Sequence, residues 1–172
     1  MPLDACRRAQ SPAKGFSGGL ISPAVGAVGI NVSGTGVSVH RTSRRIRCSD
    51  PGYVKVGVAL RGSGAVAQDD RSTVLATGAF ALYDTSRPYH LDFDGSFAMF
   101  VLMLPRESLR CGQRALSEVM ASRFSGRRRL GAVTTHPFGE LGRQLQLGAI
   151  DPPPSLADAI VDLLSASVTN SR

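Results

Sequence analysis

From Val37 to Leu104 the chain runs in short apolar stretches rich in β-branched residues, cut at roughly eight- to twelve-residue intervals by Gly, Asp, Ser or Pro. That spacing predicts an antiparallel sandwich or barrel. Residues 37–40, 43–47, 53–60, 64–68, 71–76, 79–83 and 89–93 read as strands, with 97–104 as an eighth. Within Tyr53–Leu60, Val54, Val56, Val58 and Leu60 alternate with Lys55, Gly57 and Ala59, which predicts one buried face and one thin or wet face. Tyr89, Leu91 and Phe93 fall on one side of their strand, and His90, Asp92 and Asp94 on the other. Phe97–Leu104 is apolar at both parities, as expected of a strand covered on both faces. Two turns carry their own chemistry. Gln68-Asp69-Asp70-Arg71 predicts a two-residue hairpin, because Asp tolerates the left-handed backbone such a turn demands. In Asp84-Thr85-Ser86-Arg87-Pro88 the carboxylate can close an Asx-turn while proline forbids helix.

The flanks differ. Residues 1–36 are glycine-rich and read as an irregular arm with one short strand around Val25–Val32. After Pro105 the pattern turns helical: 107–109 and 114–120 suit a turn or two each. Residues 139–147 and 155–168 read as two helices separated by Asp151-Pro152-Pro153-Pro154. Leu156, Ala159, Ile160, Leu163 and Leu164 share one stripe of the last helix, and Phe138, Leu141 and Leu145 share a face of the one before. The expected organisation is an arm (1–36), a β-barrel (37–105) and a helical region (106–172).

A chain of 172 residues buries roughly 70 % of its unfolded surface, so it needs neither disulfides nor a structural metal to hold a core. Cys6, Cys48 and Cys111, an odd number at wide spacing, argue against an oxidised framework and for a reducing cytoplasm. The longest apolar run, Phe97–Leu104, falls far short of the ~20 residues that span a bilayer, and no signal peptide follows Arg7-Arg8, so no membrane partner is expected. The net charge of +7 suggests a polyanionic partner, but eighteen of the twenty cations are arginine, the bias a GC-rich coding sequence produces unaided. Cations exceed acids in 1–50 and 106–143, while 51–105 is close to balance, so the charge flanks the expected core and does not line one helix.

Candidate chemistry is sparse. His40, His90 and His136 are scattered, and no H-x-H pair sets two ligands side by side along a strand, so no metal and no other cofactor are expected. Gly62-Ser63-Gly64-Ala65-Val66-Ala67 matches a loose dinucleotide loop. It runs into a hairpin instead of a helix whose amides could face a pyrophosphate, so glycine-permitted bending is the better reading. No G-x-S-x-G elbow is present, and neither Cys48 nor Cys111 has a histidine near it in sequence, so no catalytic residue is nominated. Arg127-Arg128-Arg129 lacks interleaved aromatics and reads as a solvated loop.

Arg45-Ile46-Arg47-Cys48-Ser49-Asp50-Pro51-Gly52-Tyr53, then Leu60-Arg61-Gly62, Gln68-Asp69-Asp70-Arg71, Leu75-Ala76-Thr77-Gly78-Ala79-Phe80 and Leu82-Tyr83-Asp84-Thr85-Ser86-Arg87-Pro88-Tyr89 resemble, in order and spacing, the N-terminal AraC-binding-like domain of AraC-type transcription regulators. Thr77-Gly78-Ala79 departs from it, standing where that family usually has Pro-Gly-Asp. The resemblance implies a mainly β fold, a cupin-like antiparallel barrel (double-stranded β-helix) followed by C-terminal helices. It also implies a small-molecule effector, a homodimer, and DNA contact through helix-turn-helix units that these residues do not supply. Inward parity nominates Val56, Val58, Tyr89 and Leu91 for a ligand pocket, with Tyr83 as its polar handle, the same positions serving equally as core. Leu141, Leu145, Leu156, Ile160, Leu163 and Leu164 are nominated for the dimer face, against the alternative of packing within the chain. The competing classes are a cupin-type metal enzyme and a stand-alone interaction domain.

Overall fold

The computed structural model describes residues 4–7, 16–22, 27–48, 52–125, 131–146 and 154–170. Its frame is a ribbon of two long antiparallel strands, β3 (Ala27–Arg41) and β8 (Tyr89–Pro105), paired from Val28↔Met103 to Arg41↔Tyr89. The register shifts between Thr35 and Val37, and β8 has Asp94 and Gly95 unmatched at the same place. A bulge there bends both strands and divides the sheet into two leaves. One leaf contains β2 (Phe16–Ser22), the first part of β3, the second part of β8, β4 (Tyr53–Arg61), β7 (Ala79–Asp84) and β9 (Phe124–Ser125). The other contains β1 (Asp4–Arg7), the end of β3, the start of β8, β5 (Ser63–Gln68) and β6 (Arg71–Ala76). The sheet is a curled half-barrel: β6 pairs only with β5, and among the described strands no ladder joins it to β7.

Two cores result. Between the leaves, Val66, Leu75, Leu91 and Phe93 meet Ala79, Ala81, Tyr83, Met99 and Val101, and Phe93 stacks on Phe97 across the bend at 3.8 Å between ring centroids. The outer face of the β4–β7–β8 leaf forms the second core. Val54, Val56, Val58, Phe80, Leu82, Phe100, Leu102 and Leu104 are covered there by three helices, α2 (Gln113–Val119), α3 (Gly131–Gln146) and α4 (Pro154–Thr169). Leu116 and Val119, then Phe138 and Leu141, then Ile160, Val161, Leu164 and Val168 supply the helical side. Helix α3 comes so close to the sheet that a Cβ at Gly142 would lie 2.7 Å from the Phe100 side chain. The Asn31 side-chain amide fixes the contact by donating to the Gly142 carbonyl at 3.1 Å.

The fold class expected from the sequence is present, with local corrections. Residues 43–47 are not a strand but lie in the short helix α1 (Ser43–Cys48), closed by a backbone bond from Ile46 to Thr42. Ile46 is the one β-branched residue inside that segment, and its arginines favour helix over an alternating strand. The 37–40 strand is the end of β3, and 89–93 and 97–104 are one strand bent in the middle. The strand expected around Val25–Val32 is the start of β3, while 4–7 and 16–22 are strands instead of irregular chain, because their polar backbone finds partners along β3. Helix α3 begins at Gly131, well before the expected 139, and carries Pro137 inside it. The hairpin is as expected: Gln68 pairs with Arg71, and Asp69 and Asp70 have φ of 51° and 60°.

Candidate functional site

Where α3 passes one end of the curled sheet, a cleft of about 790 Å³ opens between helix and strands. Its floor is apolar: Val58, Ala59 and Leu60 from β4, Ala79 from β7 and Ala98 from β8. Its rim is basic. Arg61 comes from the end of β4, Arg123 from the segment before β9, and His136 and Arg143 from α3. Glu140, one helical turn from Arg143, is the single carboxylate among the described residues of the lining. Arg143 holds it in a fork, with Nη2 at 2.5 Å and Nε at 3.0 Å from its two oxygens, and the Gln144 amide adds a bond at 2.6 Å. These donors, Arg143 first and Gln144 second, lower the Glu140 pKa to about 2.

The nominated pocket residues divide between two places. Val56 and Val58 face the helices, and Val58 also reaches the cleft; Tyr83, Tyr89 and Leu91 lie between the leaves. Parity placed all five together, but β4 is buried on both faces, so its interior side belongs to Lys55, Gly57 and Ala59. The Tyr83 and Tyr89 rings meet edge to face at 4.8 Å, and the Lys55 ammonium donates to the Tyr89 hydroxyl at 3.1 Å. Burial, with Tyr89 as a lesser cause, pushes the Tyr83 hydroxyl well above its ordinary pKa, which keeps it protonated.

Of the nominated dimer face, Leu141, Ile160 and Leu164 are buried in the chain's own helical core and Leu156 packs against it, while Leu163 is half-buried. The side chain of Leu145 lies outside the described residues. Within one chain, therefore, this stripe covers the sheet.

A family model for the AraC-binding-like domain matches residues 2–168, taking in arm, sheet and helices together. The chain belongs to the AraC-binding-like domain family. This AraC-binding-like domain superposes on the AraC-like transcriptional activator CuxR with a TM-score of 0.79 at 20 % identity, over 97 % of its own length and 61 % of CuxR's chain. A Cupin 2 conserved barrel domain protein from Salinispora arenicola CNS-205 overlaps less, with a TM-score of 0.42 at 16 % identity over 62 % of this chain and 88 % of that one. In sequence the domain is 35 % identical over 83 residues to an uncharacterized protein in the nit 5′ region of Bacillus sp. (strain OxB-1). That stretch is 48 % of this chain and 32 % of the Bacillus protein, so the match spans about a third of the curated relative.

The run Tyr83 to Tyr89 is a clamp. Asp84 accepts from the Ser86 amide at 2.9 Å, which makes the expected Asx-turn, and its buried carboxylate also pairs with Arg106. The Gln68 side chain also holds the Asp84 backbone, donating to its carbonyl and accepting from its amide, each at 2.8 Å. Thr85 ties the turn to Tyr53 through its hydroxyl, and Arg41 Nε donates to the Thr85 carbonyl at 2.9 Å.

The cleft's basic residues carry no local motif: Arg61, Arg123 and the α3 pair His136 and Arg143 come from three places in the sequence and meet only after folding. The histidines likewise needed the fold. His40 and His90 face each other across β3 and β8 with ring centroids 3.9 Å apart, and His90 Nε2 is buried without a hydrogen bond to any described residue. Among the described residues no three His, Cys, Asp or Glu side chains gather as metal ligands. Cys111 is half-buried, and burial pushes its thiol up, away from the reactive thiolate. The Gly62–Ala67 stretch leads into β5, and Gly62 adopts a φ of 76° where a Cβ would run into the Ser96 carbonyl, a site for glycine and not a phosphate loop. Arg127–Arg129 lies outside the described residues.

Proposed function

We propose that this domain is the effector-sensing module of an AraC-type transcription regulator, binding a small molecule in the cleft beside α3 and performing no reaction of its own. The observation that supports it most is the double role of α3. One side of that helix lines the cleft through His136, Gly139, Glu140 and Arg143, while Phe138 and Leu141 anchor it in the core it shares with α4. A ligand touching α3 therefore acts on an element packed against the last helix, which is how differential binding biases a two-state output. The expected homodimer would form through surfaces other than Leu141, Ile160 and Leu164, which are buried within one copy. No helix among the described residues is long and apolar enough to cross a membrane, in keeping with a cytoplasmic regulator that addresses DNA through another module.

The test is hydrogen exchange in the wild type and in Gly139→Leu. A Cβ at Gly139 has Leu60 at 3.8 Å as its nearest neighbour, so a longer side chain there enters the cleft and mimics a ligand. The sensing reading expects amide exchange to change in 154–170 as well as in 131–146. An α4 pattern identical to wild type would overturn it.

A further inference from the structure

The sensing reading leaves the ligand open, and the charge distribution of the cleft narrows it. Among the described residues, two of its cations have no carboxylate partner. Arg123 makes no hydrogen bond or ion pair with any described residue, and Arg61 reaches only the Ser96 hydroxyl, at 3.4 Å. Arg143 is engaged by Glu140, so the pair adds little net charge, while His136 supplies a further donor on the same wall. Beneath these lies the apolar floor, with Val58, Leu60 and Ala98 as its larger part. Guanidinium groups lining one concavity match the planar oxygens of a carboxylate or the oxygens of a phosphate, and an apolar floor rewards a hydrophobic body.

We infer, resting on the sensing reading, that the cleft takes an amphiphilic organic anion, its carboxylate or phosphate at Arg61 and Arg123 and its apolar body on the β4–β8 floor. A volume of about 790 Å³ admits a ligand with a fused-ring or similar body but confines it to a small molecule. Both arginines sit on the sheet side of the cleft and His136 and Arg143 on the helix side, so an anion shared between them would draw α3 toward the sheet end.

The experiment is a fluorescence titration of the full 172-residue chain with 1-naphthoate, 1-naphthyl phosphate and the uncharged 1-naphthamide; the chain has no tryptophan, so naphthyl emission is read without indole background. At least one anionic probe is expected to bind about tenfold or more tighter than the amide, a margin appropriate to a charge-assisted hydrogen bond. Preference for the carboxylate or for the phosphate then says which headgroup the site is built for. Arg61→Gln and Arg123→Gln are each expected to remove several-fold of that affinity, with Arg123→Lys keeping more of it than Arg123→Gln. Both side chains are exposed, so thermal midpoints should match wild type and confirm that the variants fold. Equal binding of amide and anions, or anion affinities untouched by both glutamine variants, overturns the anionic assignment while leaving sensing to the Gly139→Leu exchange test. Absence of binding by all three probes at millimolar concentration overturns it as well.

Discussion

Asp84 is a carboxylate at 1 % exposure that satisfies three donors: the Ser86 amide, the Ser86 hydroxyl and Arg106. A buried charge is tolerated when every lone pair is used, and removing it strands its partners. Asp84→Ala should cost about 3 kcal/mol of stability, read as a lower urea midpoint at unchanged slope. Arg106→Gln should cost a comparable amount, since the Asp84 carboxylate it leaves behind is buried and water cannot replace the lost guanidinium. Tyr83 makes the opposite kind of statement. Its folded pKa lies above the unfolded value of 10.0, so the unfolded chain gives up its proton first. The contribution of the neutral hydroxyl is complete below pH 10 and declines as pH rises toward the folded value. Urea midpoints should therefore fall steeply on the alkaline side, and Tyr83→Phe, which keeps the ring contact with Tyr89, should flatten that limb.

Helix α3 is the element on which the cleft depends, and Glu140 sets its charge. The folded carboxyl titrates at about 2 against 4.5 unfolded, so what its hydrogen bonds contribute is present in full above pH 4.5 and disappears as pH falls toward 2. Through the neutral range Glu140 stays ionised and Arg143 stays engaged. Glu140→Gln should release Arg143 to the cleft and tighten naphthoate or naphthyl phosphate binding about threefold, as expected for one exposed charge pair, without adding pH dependence in that range. The hairpin between β5 and β6 is a separate element with its own test. Asp70 adopts a left-handed backbone at φ 60°, which glycine occupies without strain, so Asp70→Gly should raise stability by about 0.5 kcal/mol in urea unfolding.

For the molecule as a whole, features set by neighbouring residues were legible in the sequence and features set by which leaf faces which were not. The Asp69-Asp70 hairpin and the Asp84 Asx-turn are decided within a few residues by side chains that prefer those conformations, and both are where the sequence puts them. Alternation along β4 was visible, but it could not say which face is interior, because helices cover one side and the opposite leaf the other. Val54, Val56 and Val58 went to the helices, leaving the interior to Lys55, Gly57 and Ala59. The small residues are needed there: a Cβ on Gly57 would come within 3.2 Å of Tyr83 and 3.3 Å of Met99. Segment 43–47 misled because one β-branched residue among arginines has no periodicity to read. The cleft was invisible for a different reason, since its cations become neighbours only when α3 is laid across the end of the sheet.

The double burial of β4 has a consequence for how this protein can vary. A strand with water on one side offers every second position to drift, whereas β4 is a wall common to two rooms, and from Val54 to Ala59 no side chain is outdoors. Saturation mutagenesis scored by abundance should find those six consecutive positions nearly closed to exchange, while β6, with four of its six residues exposed, accepts polar replacements freely.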